Sequence, residues 1–135
     1  MTPLLALWLI LAPPAGADLV QQARQSLTQA EENTKKSGAA CRGGEWEKCS
    51  ALLSEVQTGV EGAKQSLDQT GINPSRSPRH FKDAEIRVRK ILRFLQDLAG
   101  YIHPDDRKHY DTVVKRVSDI DDQILDSIVT RKKKK

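Results

Sequence analysis

Cys41 and Cys49 are the only two cysteines in the chain, and an even pair beside a glycine-rich turn is the usual raw material of a structural disulfide in an oxidising compartment. On one unbroken helix the two positions would stand about 12 Å apart, too far to bridge. Gly43-Gly44 interrupts the chain between them, so Cys41 is expected to turn back onto the first turn of the following helix. Closing so short a loop stabilises by roughly 2–3 kcal/mol in the entropic account. A redox or metal role is the weaker reading. The spacing is not C-x-x-C, and no histidine lies near in sequence.

A second group gathers around His103, Asp105, Asp106 and His109. Asp106 and His109 are three apart, so on a helix both can face one cation, with His103 a further donor. The structural alternative is stronger: acidic residues in a first turn complement the helix dipole, and a residue before proline is pushed out of the helical region. His103, Asp106 and His109 are therefore only weak metal candidates.

The third group is Arg131-Lys132-Lys133-Lys134-Lys135. The chain carries a net charge of +4, less than this tail holds by itself, so the rest of the protein is close to neutral. Cations at the end of a helix suit its dipole. They can also contact an anionic membrane surface or another polyanion, at about 1 kcal/mol per residue. Nucleic acid is disfavoured, because aromatic residues make up only 4% of the chain.

Enzyme and cofactor motifs are missing. There is no Glu-x-x-His pair for a di-iron bundle, no C-x-x-C-H for attached haem, and no methionine beyond Met1 to ligate a haem iron. No phosphate-binding glycine loop or serine-nucleophile motif occurs. Asp121 and Asp122 read as an ordinary solvated face. The expectation is a non-catalytic protein without a cofactor.

The elements that would position these groups are helices. Apolar residues recur at alternating intervals of three and four, at positions 46, 49, 53, 56, 60, 63 and 67, again at 81, 84, 88, 91, 95, 98 and 102, and again at 110, 113, 117, 120 and 124. A shorter run, Val20, Ala23, Leu27 and Ala30, precedes them. Such spacing lines up each set on one helical stripe. Gly38 and Gly43-Gly44 are expected to separate the first two helices, and Gly71 to Ser75 the next two. Ser77-Pro78 should start the third helix, Gly100 should end it, and Pro104-Asp105-Asp106 should start the fourth. The fold expected is all-α, an antiparallel bundle of three to four amphipathic helices with coiled-coil-like packing. Residues 71–103 are net basic and 104–130 net acidic, which predicts pairing of the last two helices, for instance Arg87 with Asp119.

Ahead of these helices, Leu4 to Ala12 is an apolar run too short to span a bilayer comfortably. Pro13-Pro14 and the small residues Ala15-Gly16-Ala17 follow it, the layout of a secretory signal cleaved near Ala17. The chain thus divides into a signal peptide at 1–17, a helical bundle domain at 18–130 and a polybasic tail at 131–135. The leading expectation is an exported protein, periplasmic or secreted, that binds a protein partner or itself. Alternatives are a membrane- or polyanion-binding protein tethered by the tail, and a metal-responsive protein using His103–His109.

Overall fold

The computed structural model describes the backbone of residues 16–133 and the side chains of 18–129. Residues 1–15, which hold most of the predicted signal peptide, lie outside the described residues, as do the side chains of the basic tail. Four helices carry the fold: α1 (Gly16–Arg42), α2 (Trp46–Gln69), α3 (Arg79–Asp97) and α4 (Arg107–Lys133). Two single 3-10 turns, Ala99–Tyr101 and Pro104–Asp106, link α3 to α4. Among the described residues no helix is long and apolar enough to cross a membrane.

The periodic apolar residues form the core. In α2 the buried set is Cys49, Leu53, Val56, Val60, Ala63 and Leu67. Opposite it lie Phe81, Ala84, Val88, Ile91, Leu95 and Leu98, with Tyr110, Val113, Val117, Ile120 and Ile124 from α4. Stripes of this width bury most of their apolar area only when four helices close on one another, which is the arrangement found.

Consecutive helices run antiparallel, but α2 and α3 lie on a diagonal instead of side by side. Two pairs of parallel neighbours result. Glu31 meets Arg87 and Gly38 meets Phe94 along α1 and α3, while Ser54 meets His109 and Glu61 meets Arg116 along α2 and α4. The bundle is two antiparallel hairpins, α1–α2 and α3–α4, laid against each other.

The first hairpin departs from expectation. Gly38 does not end α1, which continues to Arg42. Beyond Ala30 its buried face is polar or small, namely Asn33, Thr34, Ser37 and Ala40, so a search for apolar periodicity loses it. The hydroxyls are satisfied within the helix: Thr34 Oγ1 donates to the Ala30 carbonyl and Ser37 Oγ to that of Thr34, both at 2.7 Å. α1 stops in a Schellman turn. Gly44 has φ +78°, its N–H bonds the Cys41 carbonyl, and the Glu45 N–H bonds that of Ala40.

Small residues let α1 and α2 approach closely. A methyl group at Gly59 would stand 3.1 Å from Ala30 Cβ and 3.2 Å from the Ser26 carbonyl oxygen.

Two further helix ends differ from the sequence reading. The α3 N-cap is Pro78, with no side-chain capping bond, so Ser77 does not cap the helix. Gly100 lies inside a 3-10 turn without a positive φ, and α3 has already ended at Asp97. The start of α4 is closer to expectation. His103 is extended (φ −62°, ψ 139°) and its Nδ1 accepts the Asp105 N–H at 3.1 Å, a capping role for histidine that the sequence reading missed.

Candidate functional site

Cys41 closes α1 and Cys49 lies in the first turn of α2, with Cα atoms 5.2 Å apart and the sulfurs joined as a disulfide. The pairing expected from sequence is present, although Cys41 reaches it from the end of a helix and not from a loop. Both residues are buried. The bond ties the α1–α2 turn to the core and leaves no thiol for chemistry.

The three weak metal candidates are not gathered around one point, and no cluster of three or more metal-capable side chains occurs among the described residues. His103 packs against Trp46, with ring centroids 5.5 Å apart, while its Nδ1 serves the cap. Asp106 and His109 share the wall of a crevice of about 10 Å³ beside the disulfide, room for one water at most. His109 Nε2 lies 3.1 Å from Ser54 Oγ and 3.2 Å from the Ser50 carbonyl oxygen. A carbonyl only accepts, so Nε2 carries the hydrogen. That removes the basic lone pair Ser54 would need for activation as a nucleophile. The histidine fastens the start of α4 to α2.

The predicted attraction between a basic third helix and an acidic fourth is not what joins them. Arg87 turns to α1, where Nη2 and Nε grip both oxygens of Glu31 at 2.5 and 3.2 Å and Nη2 also reaches Thr28 Oγ1 at 2.9 Å. Its hydrogen bonds to Glu31 raise the guanidinium further above its ordinary value. Asp119 pairs with Lys115 on its own helix, and Arg116 crosses to Glu61 of α2. The two ion pairs that cross between helices, Arg87–Glu31 and Arg116–Glu61, therefore join the two hairpins to each other. Between α3 and α4 the Tyr110 hydroxyl donates to the Leu95 carbonyl at 2.5 Å, and the charged groups that meet there are a pair of acids.

Glu85 and Asp121 are both buried at that seam, which corrects the expectation that Asp121 lies on a solvated face; Asp122 is exposed as expected. Asp121 Oδ1 is buried without a donor among the described residues. The group beside it is the Glu85 carboxyl, which can partner it only by sharing a proton. Burial first, and then the hydrogen bond and charge of Glu85, push the Asp121 carboxyl up from 3.8 to about 7. Arg89 pulls the other way from a half-exposed position 3.3 Å from Glu85. The sequence signal, an Asp directly after Ile120 on the edge of an apolar stripe, is easily read as surface.

A concavity with convergent polar groups lies between α1 and α3. It is a cleft of about 320 Å³ lined by Glu31, Thr34, Lys35, Lys90, Ile91 and Phe94. Ile91 is buried at its base, and the Phe94 ring lies directly over Gly38, where a methyl group would meet it at 2.8 Å. Gly38 thus seats an aromatic ring. At one end Arg42 stacks over Phe94 and over the half-exposed Tyr101, 5.7 and 5.4 Å from the ring centroids. Glu31 is held by Arg87, while Lys35 and Lys90 are exposed and have no ion-pair partner among the described residues. The cleft is apolar at its floor and positive at its rim. Apart from Ile91, which read as core, no residue of it stood out in the sequence, because α1 and α3 are distant in the chain and Gly38 read as a helix stop. No family model, curated protein or solved structure matches this chain.

Proposed function

We propose that this chain is a non-catalytic binding protein of an exported, oxidising compartment that engages another macromolecule through the face shared by α1 and α3. The observation that carries this reading is the division of polar groups. The cysteines and both His103 and His109 are committed to holding the bundle, while Lys35 and Lys90 line the cleft with Phe94 and Arg42 stacks over Phe94 and Tyr101, none of the three in an ion pair among the described residues. Aromatic residues beside arginine on a rigid surface are a common composition for binding hot spots. The disulfide is compatible with export, and the Leu4–Ala17 layout supplies the sequence argument for it.

The test is mild crosslinking in the native compartment followed by mass spectrometry. A chain beginning at Asp18 and linked through Lys35 or Lys90 to a second macromolecule is expected. An uncleaved Met1, or a monomer without any linked partner, would overturn the reading.

A second reading rests on Arg131–Lys135. The helical backbone of α4 continues through Lys133, which would present part of the basic run in helical form. Deleting residues 131–135 should abolish binding to anionic vesicles at low salt if the tail is a tether, and unchanged binding removes that role.

A further inference from the structure

We propose that the α1–α3 cleft is a docking pocket for an acidic chain segment, one apolar side chain of which seats over Ile91 and Phe94 while flanking carboxylates meet Lys35, Lys90 and Arg42. The inference rests on the binding role above and names the partner's chemistry. Three observations point the same way.

The rim is cationic. Glu31, its one acid, is neutralised in place by Arg87, so an entering carboxylate meets two free ammonium groups and a guanidinium. The floor is apolar and already built, because Gly38 leaves room for the Phe94 ring against α1 and Arg42 stacks over the same ring. The size is also limiting. About 320 Å³ is at the small end of ligand sites and suits a single anchoring side chain rather than a whole helix.

Alternative occupants fit less well. A bilayer would need apolar side chains projecting outward, whereas here the apolar atoms are recessed between two helices. A free amphiphilic acid would satisfy the same charges, but the positive and aromatic surface continues past the cleft to Tyr101, further than a small molecule would use. The recognition is of the acidic-motif kind, with the apolar anchor supplying shape and the lysines supplying sign.

The experiment is a two-dimensional amide NMR titration of the disulfide-bonded exported protein. The probe is a capped hexapeptide in which two glutamates on each side flank a central Leu-Phe. Controls are the same peptide with lysines for glutamates, and decanoate. Expected results are shifts confined to the neighbourhood of Thr34, Lys35, Ile91 and Phe94, submillimolar binding of the acidic peptide only, and at least a tenfold loss in Lys35→Glu/Lys90→Glu. Because both lysines are exposed, the double variant should melt like the parent. Its circular dichroism and its amide spectrum away from the cleft confirm the fold.

The proposal is overturned if the cleft amides do not move, if the lysine peptide binds as well, or if decanoate binds as tightly as the peptide. Crosslinking separates this failure from that of the binding role. A partner still captured by the double variant leaves the protein a binder but removes the acidic pocket. Loss of all partners from the parent protein removes the binder itself.

Discussion

The two hairpins of this bundle are held together by different means. In α1–α2 the backbones approach through Ala30 and Gly59, the buried face of α1 is finished with Asn33, Thr34 and Ser37, and a disulfide closes the turn. In α3–α4 the seam is filled by bulky side chains, among them Phe81, Leu95, Leu98, Val117 and Ile120. It has no cross-link, and it encloses the Glu85–Asp121 pair. The first hairpin gains from close approach and a covalent constraint, neither of which titrates near neutral pH. The second relies on apolar volume and carries an unfavourable charge pair. A large apolar seam therefore does not make the second hairpin insensitive to solution conditions.

The largest break in this comparison should come from volume. Phe81→Ala removes a ring that is 1% exposed and should lower unfolding stability by about 3–5 kcal/mol in urea titrations. No buried side chain in the second half of α1 is large enough to give an equal loss. Next, Cys41→Ser with Cys49→Ser, or reduction of the parent, should cost about 2–3 kcal/mol. The loss should appear chiefly as faster amide exchange around Ala40 to Leu53, with α3 and α4 less affected. Uniform loosening of all four helices would show that the bond acts on the whole bundle and not on one hairpin.

The acid pair predicts a pH dependence whose sign follows from linkage. Asp121 has a folded value of about 7 against an ordinary 3.8, so the folded state holds the extra proton across that window. Stability is then greatest below the lower value and falls as pH rises from about 4 to 7. We expect a loss of roughly 2 kcal/mol, about half the full equivalent of such a shift, because half-exposed Arg89 brings solvent to the edge of the pair. Asp121→Asn keeps the shape, can donate to Glu85, and should flatten that slope while raising stability at pH 8. An unchanged slope would place the titration elsewhere.

The smallest effects sharpen the account of close approach. Gly59→Ala should destabilise by about 1–2 kcal/mol, since its methyl group meets backbone at 3.2 Å. At Gly62 the nearest atom is Ser26 Oγ at 3.8 Å, so Gly62→Ala should stabilise by up to about 1 kcal/mol through helix propensity. Equal effects at the two glycines would mean that α1 and α2 are less closely joined than described.

The bundle was legible wherever burial is apolar and regular. Stripes at 46–67, 81–102 and 110–124 identify three helices because one side chain in every three or four is excluded from water. The same logic followed α1 only as far as Ala30. Thr34 and Ser37 can be buried there because each bonds a carbonyl of its own helix, and that option leaves no mark in hydropathy. Gly38 misled for a related reason: glycine marks either a helix end or a close neighbour, and only the neighbour, Phe94, tells them apart.

By itself the sequence determined the all-α class, three full core stripes with the first part of the fourth, and the Cys41–Cys49 pairing. These depend on local periodicity, on chain-distance limits and on composition. Tertiary structure alone decided that α2 and α3 lie diagonally, that Arg87 serves α1 rather than α4, that Asp121 is buried against Glu85, and that Lys35 and Lys90 share a cleft. Each of those depends on which helix faces which. Net charge by segment cannot settle that, because surface ion pairs stabilise by about 0–1 kcal/mol each, whereas burying the apolar stripes contributes far more. Packing sets the neighbours, and the charges take whichever partners it leaves them.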